Sequence, residues 1–109
     1  MDIGAMLKAL GEPTRLAIFR QLLIRKHCVR SLSKSLGITE SAISQHMKVL
    51  RRCGLVYAEQ FGYHTHYLPA QEAIDALVGT FTEMQHQSLA LNRDKNVCEC
   101  EYRKKNVEK

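Results

Sequence analysis

Apolar residues in the first quarter of the chain recur at helical spacing and predict two helices. The first has a short apolar face that stops at Gly11 and consists of Met6, Leu7 and Leu10. The second is predicted to begin near Pro13, because proline suits the first turn of a helix, where its missing N–H is no loss. It continues to about Lys26, and its predicted core residues are Leu16, Phe19, Leu22 and Leu23.

Two further helices are predicted on either side of a glycine. The segment from Ser31 to Leu36 forms a short helix that ends at Gly37, where a left-handed cap residue is usual. Thr39 then caps the fourth helix by accepting a hydrogen bond from a backbone N–H of its first turn. The apolar stripe of the fourth helix consists of Ile43, Met47 and Leu50. A short helix, a tight turn and a second helix make a helix-turn-helix.

The stripe determines which side chains of the fourth helix face outward: Glu40, Ser41, Ser44, Gln45, Lys48 and Arg51 or Arg52. Cys53 and Gly54 end the helix. Two strands follow at once, from Val56 to Gln60 and from His64 to Leu68, because both segments are rich in aromatic and β-branched residues. The turn between them is predicted at Phe61-Gly62-Tyr63. A helix followed directly by a hairpin is the arrangement with which a winged helix reads double-stranded DNA.

Pro69 closes the hairpin, and a long last helix is predicted to run to about Leu91. Its apolar residues are Ile74, Leu77, Val78, Phe81 and Met84. Because this apolar face is wide for a helix at the edge of a small domain, we interpret it as a subunit interface formed with the first helix. The alternative is that it only covers its own core. We expect a domain over residues 1–92 and a flexible tail over 93–109 that carries Cys98 and Cys100.

Composition narrows the class of protein. The chain has 109 residues, a formal charge of +5 and a pI near 9.2, which favours a polyanionic partner. It has neither a leader-like N-terminus nor 18 successive uncharged apolar residues, so we expect a soluble, cytoplasmic protein without membrane contact. In the cytoplasm, four cysteines in so short a chain indicate metal ligation or redox sensing more than disulfides.

Three segments of the chain resemble one known family. They are LKALGEPTRLAIFRQLL, the block HCVRSLSKSLGITESAISQHMKVLRRCGLV and the glycine-tipped hairpin. Over about residues 5 to 90 the chain resembles the ArsR/SmtB metal-sensing repressors. The resemblance implies a mainly α fold with a small β-hairpin, dimerising through its first and last helices. It also implies a repressor that leaves its operator when a metal or metalloid binds.

The fourth helix carries side chains suited to reading DNA. By resemblance, Ser41, Ser44 and Gln45 are the base-proximal positions, and glutamine can bond an adenine edge bidentately. Three cations are placed to hold phosphates: Lys48, Arg51 and Arg52. His46 is expected to be a half-buried packing residue. At the hairpin tip, where the family usually has an arginine suited to DNA contact, this chain has Tyr63, His64 and His66.

The cysteines predict where an inducer binds. Cys98 and Cys100 can place two sulfurs on one soft ion when the backbone is extended or irregular. As(III) favours three thiolates, so a third cysteine is needed from the folded domain. Cys28 matches the first cysteine of a metal-binding motif of the family, although Arg30 replaces the second. Cys53 is the less favoured choice, because it is expected to be a packed turn residue.

The inducer therefore stays open among thiophilic ions. As(III) or Sb(III) is preferred, and a Cd(II) or Pb(II) sensor that uses Cys53 is the main alternative. A repressor that senses redox change or persulfide through Cys28 and a tail cysteine is another, as is a regulator with no inducer at its cysteines. A zinc or nickel site around His86 is not expected, because the necessary acidic and histidine set is missing. Nothing indicates an enzyme, since no nucleophile with an oriented base and no phosphate-binding glycine loop is present.

Overall fold

The computed structural model describes residues 1–91 and 98–100. Within them the chain forms five helices and two strands. In chain order these are α1 (Ile3–Leu10), α2 (Pro13–Ile24), α3 (Val29–Leu36), α4 (Glu40–Arg52), β1 (Val56–Phe61), β2 (His64–Pro69) and α5 (Gln71–Ala90). The chain divides into two compact units, the first covering Met1–Val78 and the second beginning at Gly79.

Side-chain caps begin the helices on which the fold depends. The Glu12 carboxylate accepts the Arg15 N–H at 2.9 Å and so opens α2 directly before its proline. The Thr39 hydroxyl accepts the Ala42 N–H at 3.1 Å and opens α4, which confirms the predicted cap. Gly37 ends α3 with φ of 68°, the left-handed conformation that the sequence predicts there.

The core of the first unit is formed by all of its helices and the start of its hairpin. Its fully buried large side chains are Met6, Ile18, Leu32, Ile43, Met47, Leu50 and Leu55. The predicted stripe of α4 is thus confirmed in full, because Ile43, Met47 and Leu50 are each at most 2% exposed. Burying one stripe of α4 leaves its opposite face open to solvent.

The prediction for α2 was wrong in part. Leu16 is 36% exposed and Leu23 is 53% exposed, whereas the buried residues are Ile18, Phe19 and Leu22. The exposed leucines lie about 100° around the helix from the centre of the buried stripe. The helix therefore has two apolar stripes, of which one faces the core. It ends at Ile24, two residues earlier than predicted, since Arg25 is already extended.

The hairpin is antiparallel and pairs Phe61 with His64 across its tip. Its turn therefore contains two residues, Gly62 and Tyr63, where the sequence predicts three, and Gly62 has φ of 59°. A third backbone segment joins the hairpin at His27, whose carbonyl accepts the Tyr67 N–H at 2.8 Å. This bridge anchors the hairpin to the connection between α2 and α3.

Helix α5 buries only part of its apolar face. Ala73 and Leu77 are buried, while Val78, Phe81 and Met84 are each more than half exposed, at 58%, 51% and 51%. Among the described residues, no helix combines the length and the hydropathy that crossing a bilayer requires.

Candidate DNA-binding surface and thiol sites

The outward face of α4 is polar and cationic. Its solvent-exposed residues include Ser41, Gln45, Lys48, Arg51 and Arg52. Ser44, expected on the same face, is half-buried, so it is less accessible than its neighbours. The short polar side chains lie in the first half of α4 and the cations in the second, which is the distribution that base contact and phosphate contact require.

Two hydrogen bonds hold the turn between α3 and α4. The Ser33 hydroxyl donates to the Ile38 carbonyl, and the Gly37 N–H donates to the Ser33 carbonyl at 2.9 Å. Both bonds connect α3 to the segment that leads into α4. The turn between α3 and α4 is therefore held to the end of α3 by one side-chain and one backbone hydrogen bond.

A polar cluster joins α4 to the start of α2. Nδ1 of His46 lies 3.6 Å from Oε2 of Glu12 and 3.4 Å from Nη1 of Arg15. Arg15 is itself fixed, because its Nε donates to the Ala9 carbonyl at 2.7 Å. The N–H groups of Arg15 and Thr14 lower the pKa of Glu12, with a smaller effect from His46. His46 is half-buried, as expected, but no sequence pattern predicted its cluster with Glu12 and Arg15.

The wing carries a cation that does not come from the hairpin. Nζ of Lys26 lies 3.6 Å from the centre of the Phe61 ring, a cation–π contact beside the hairpin tip. Tyr63 and His64 are exposed, whereas His66 is half-buried and its Nδ1 has no hydrogen-bond partner among the described residues. A cation from the α2–α3 connection therefore lies beside the end of β1.

Cys28 lies at the N-cap of α3, half-buried beside the hairpin. The N–H of Ser31 is the main cause that lowers the pKa of the Cys28 thiol, and partial burial opposes it. The Ser31 hydroxyl donates to the Cys28 carbonyl at 3.0 Å and contacts Nδ1 of His27 at 2.8 Å. Because that hydroxyl already uses its proton, the geometry assigns the His27 proton to Nδ1. Burial, with a smaller effect from Arg25, lowers the pKa of His27.

The other three cysteines differ in accessibility. Cys53 is half-buried at the C-cap of α4, and its thiol donates to the Leu50 carbonyl at 3.4 Å. Cys98 and Cys100 are exposed. The backbone there is helical at Glu99 and Cys100 rather than extended, contrary to our expectation. The N–H and the thiol of Cys100 lower the pKa of Cys98.

The described parts of the chain do not contain a preassembled metal centre. Within residues 1–91 and 98–100, no group of three or more His, Cys, Asp or Glu side chains is arranged to hold a metal ion. All four cysteines are free thiols. The remainder of the tail predicted over 93–109 lies outside the described residues.

A helix-turn-helix followed by a hairpin, with a polar and cationic face on its second helix, defines a winged helix-turn-helix DNA-binding domain. Comparison with known proteins agrees with that class. The family model described as "Bacterial regulatory protein, arsR family" matches residues 12–58, from the cap of α2 into β1. The chain belongs to this ArsR/SmtB family, whose members are regulators rather than enzymes.

Two mycobacterial relatives illustrate the similarity. The HTH-type transcriptional repressor SmtB of Mycobacterium tuberculosis is 35% identical over 75 residues, which cover 69% of this chain and 56% of SmtB. The HTH-type transcriptional regulator CmtR of Mycobacterium bovis is 34% identical over 77 residues, which cover 71% of this chain and 65% of CmtR. The chain thus spans between half and two thirds of the lengths of these relatives.

Solved structures share the fold. Reduced HlyU from Vibrio cholerae is 32% identical, with a TM-score of 0.60 over 81% of this chain and 87% of HlyU. An ArsR-like transcriptional regulator from Rhodococcus has a TM-score of 0.73 at 24% identity, over 78% of this chain and 80% of its own. A homodimeric winged helix-turn-helix DNA-binding domain from Mycobacterium bovis has a TM-score of 0.64 at 19% identity, over 84% and 86%. The last two matches speak for the fold alone.

Proposed function

We propose that this protein is a transcriptional repressor that binds operator DNA as a homodimer and leaves it when a thiophilic ion binds its cysteines. The observation that carries the DNA-binding part is the exposed face of α4, which presents Gln45 and Lys48 opposite a fully buried stripe. The word "repressor" in the name of the relative SmtB supports the direction of regulation. The compartment we propose is the cytoplasm, where thiols stay reduced.

In this proposal the residues of α4 divide by task. Ser41, Ser44 and Gln45 read base edges in the major groove, with Ser44 contributing least because it is half-buried. Phosphates are held by Lys48, Arg51 and Arg52. Cζ of Arg51 also lies 5.9 Å from the centre of the Tyr67 ring, so Arg51 is near the wing. A binding titration on operator fragments, with variants of α4, tests these roles.

Dimerisation through α1 and α5 is the second part of the proposal. Phe81 and Met84 on α5 are each 51% exposed, and Leu7 on α1 is 38% exposed, so both helices have apolar surface open to solvent. Such area favours burial against a second copy. One solved structure of the same fold is described as homodimeric, and we extend that assembly to this chain as part of the proposal. Sedimentation equilibrium of Phe81→Glu should show a monomer, whereas the exposed Glu83→Lys is the control that should still dimerise.

The inducer site that we propose consists of Cys28, Cys98 and Cys100, with Cys53 as the less favoured third ligand. One feature that supports it is that the pKa values of the Cys28 and Cys98 thiols are lowered, which favours the thiolates that bind As(III) or Sb(III). Cys53 instead donates its proton to a carbonyl. The tail over 93–109 would bring the cysteine pair to Cys28 of the same or the second copy. By linkage, an ion that prefers the DNA-free state lowers operator affinity by the same factor.

Titration of the reduced protein with As(III), Cd(II), Pb(II) and Zn(II), followed by sulfur-to-metal absorption, tests the thiol site. We expect As(III) absorption that disappears in Cys28→Ser and in the Cys98→Ser, Cys100→Ser double variant, but persists in Cys53→Ser. Loss in Cys53→Ser with Cd(II) or Pb(II) would instead favour the alternative sensor. Operator affinity that no ion changes would contradict the proposal.

A redox or persulfide sensor is the second candidate, because Cys28 and Cys98 are the two thiols with lowered pKa values. Mass spectrometry after mild peroxide treatment separates it from ion sensing. A disulfide between Cys28 and a tail cysteine, formed together with loss of operator binding, would favour this candidate.

A further inference from the structure

A cavity of about 390 Å³ lies between α1, the start of α2 and the end of α4, all within the first unit. Its volume falls in the range of about 300–1,000 Å³ that is typical of small-molecule sites. The apolar part of its wall comes from Ala5 and Ala9 of α1 and Val49 of α4, together with Cys53. The small alanine side chains are the reason that space is left open between the two helices.

Three cations complete the wall of this cavity: Lys8, Arg15 and Arg52. None of the described residues that line it is acidic. Arg15 is held in place by its bond to the Ala9 carbonyl, so its charge is fixed near the cavity rather than free to move away. An apolar pocket bordered by cations favours a ligand with an apolar body and one negative charge, and it disfavours a cation of the same shape.

We propose that this cavity binds a small straight-chain carboxylate, its hydrocarbon chain against Ala5, Ala9 and Val49 and its carboxylate among the cations. The cavity is separate from the preferred thiol site, since Cys28 does not line it, whereas Cys53, the less favoured third ligand, does. Arg52 is also one of the proposed phosphate contacts. A bound carboxylate would therefore compete with DNA phosphate for Arg52 and lower operator affinity, a consequence that rests on the proposed function.

Binding is tested without DNA, so that failure of the proposed function does not affect the result. Octanoate is titrated into the reduced full chain by calorimetry and by NMR, with octylammonium, octanol and acetate as matched probes. We expect saturable shifts for Ala5 and Val49 with octanoate and at least tenfold weaker binding of the other three. From hexanoate to octanoate, affinity should rise about fourfold for each added methylene.

Variants locate the site. Lys8→Gln should weaken octanoate binding about threefold to fivefold, because an exposed charge contributes modestly. The control is Lys34→Gln, an exposed lysine on α3 that should leave binding unchanged. Ala5→Leu should fill the cavity and weaken binding more than tenfold. If Ala5→Leu does not fold, the series from hexanoate to octanoate and the Lys8→Gln variant still test the proposed site.

Cys53 serves as an internal reporter, because it lines the cavity while Cys28 does not. Peptide-resolved alkylation of the native protein should show slower labelling of Cys53 at saturating octanoate and an unchanged rate for Cys28. Equal affinity for octanoate and octylammonium would overturn the proposal. NMR shifts induced by octanoate only at residues outside the cavity would also overturn the proposal. Absence of binding because a second copy of the chain covers the cavity would do so as well. Octanoate binding without any change in operator affinity would retain the site and remove only its proposed effect on DNA.

Discussion

Nδ1 of His46, in the middle of α4, lies 3.6 Å from the Glu12 carboxylate that caps α2. The same carboxylate accepts the Arg15 N–H, so one side chain both opens α2 and contacts the helix proposed to read DNA. The orientation of α4 is therefore coupled to the start of α2 by polar contacts, in addition to the shared core.

Replacing Glu12 by glutamine tests this coupling. Glu12→Gln should lower Tm by a few degrees at neutral pH, because the cap loses its charge and the contact with His46. The pKa of Glu12 in the folded protein is below 4.5, so its stabilising contribution is complete above 4.5 and is lost as the pH falls through the lower, folded-state value. The difference in Tm between the two proteins should therefore vanish in acid.

The matched control for that experiment is Glu83→Gln, which changes an exposed glutamate on α5. It should leave Tm nearly unchanged at both pH values. A Tm difference for Glu12→Gln that is as large in acid as at neutral pH would show that the carboxylate charge is not the cause.

His27 should make stability depend on pH near neutrality. Burial lowers its pKa below the ordinary value of 6.5, so the unfolded chain takes up a proton before the folded one does. Stability should therefore decrease as the pH falls below 6.5, by at most about 1.4 kcal/mol per pH unit for one group. Urea unfolding at several pH values should show that His27→Gln removes part of this slope. The exposed His86→Gln should retain it, and equal slopes in both variants would refute the assignment.

Helices whose apolar residues form a single stripe could be predicted from the sequence. In α4, the spacing of Ile43, Met47 and Leu50 identifies the buried side, and Thr39 and Gly37 mark the boundaries by local chemistry. In α2 the apolar residues form two stripes, and periodicity cannot decide which one faces the core. Leu23 was therefore assigned wrongly, since its exposure depends on where the other helices lie.

Contacts between segments that are distant in the sequence could not be predicted from local sequence patterns. The bridge of His27 to Tyr67 is a single backbone pairing, too short to leave an alternating signal. His46 and Arg15 lie 31 positions apart, so only the packed fold brings them together. The candidate DNA-binding face was predictable because it lies on one helix, whereas the proposed thiol site requires segments whose meeting no local pattern specifies.

Gly37 and Gly79 should respond oppositely to the same substitution. Gly37 has φ of 68° and open space around it, so Gly37→Ala should destabilise by about 1 kcal/mol through backbone strain alone. Gly37→Asn should destabilise less, because asparagine tolerates the left-handed region. Gly79 lies inside α5, again with open space, so Gly79→Ala should stabilise by about 0.5–1 kcal/mol. Urea unfolding measures both, and destabilisation by Gly79→Ala would contradict this account.

Cys28 should be the more reactive of the two cysteines in the first unit. Its pKa is lowered by the Ser31 N–H, while the Cys53 thiol is bonded to a carbonyl. Peptide-resolved alkylation across a pH series should give Cys28 a midpoint below 9.0 and a rate several-fold above that of Cys53 at neutral pH. Ser31→Ala should leave the midpoint nearly unchanged, since it retains the Ser31 N–H, the main cause of the lowered pKa, and the hydroxyl proton is donated to the Cys28 carbonyl. Slower labelling of Cys28 than of Cys53 would contradict the prediction.

Lys48 and Gln45 should affect operator binding in different ways, because one is proposed to hold a phosphate and the other a base. Lys48→Gln should weaken binding to all sequences and lower the salt-dependence slope by about 0.9 per protomer, the value for one phosphate contact. Gln45→Ala should leave that slope unchanged and reduce discrimination at one base pair by about 1–3 kcal/mol, which is about fivefold to 160-fold in affinity ratio. Arg20→Gln, an exposed cation on α2, is the control that should change neither. Fluorescence anisotropy over a range of salt concentrations separates the two effects. If Gln45→Ala altered the slope and Lys48→Gln altered base preference, α4 would bind in another orientation than the one its exposed face indicates.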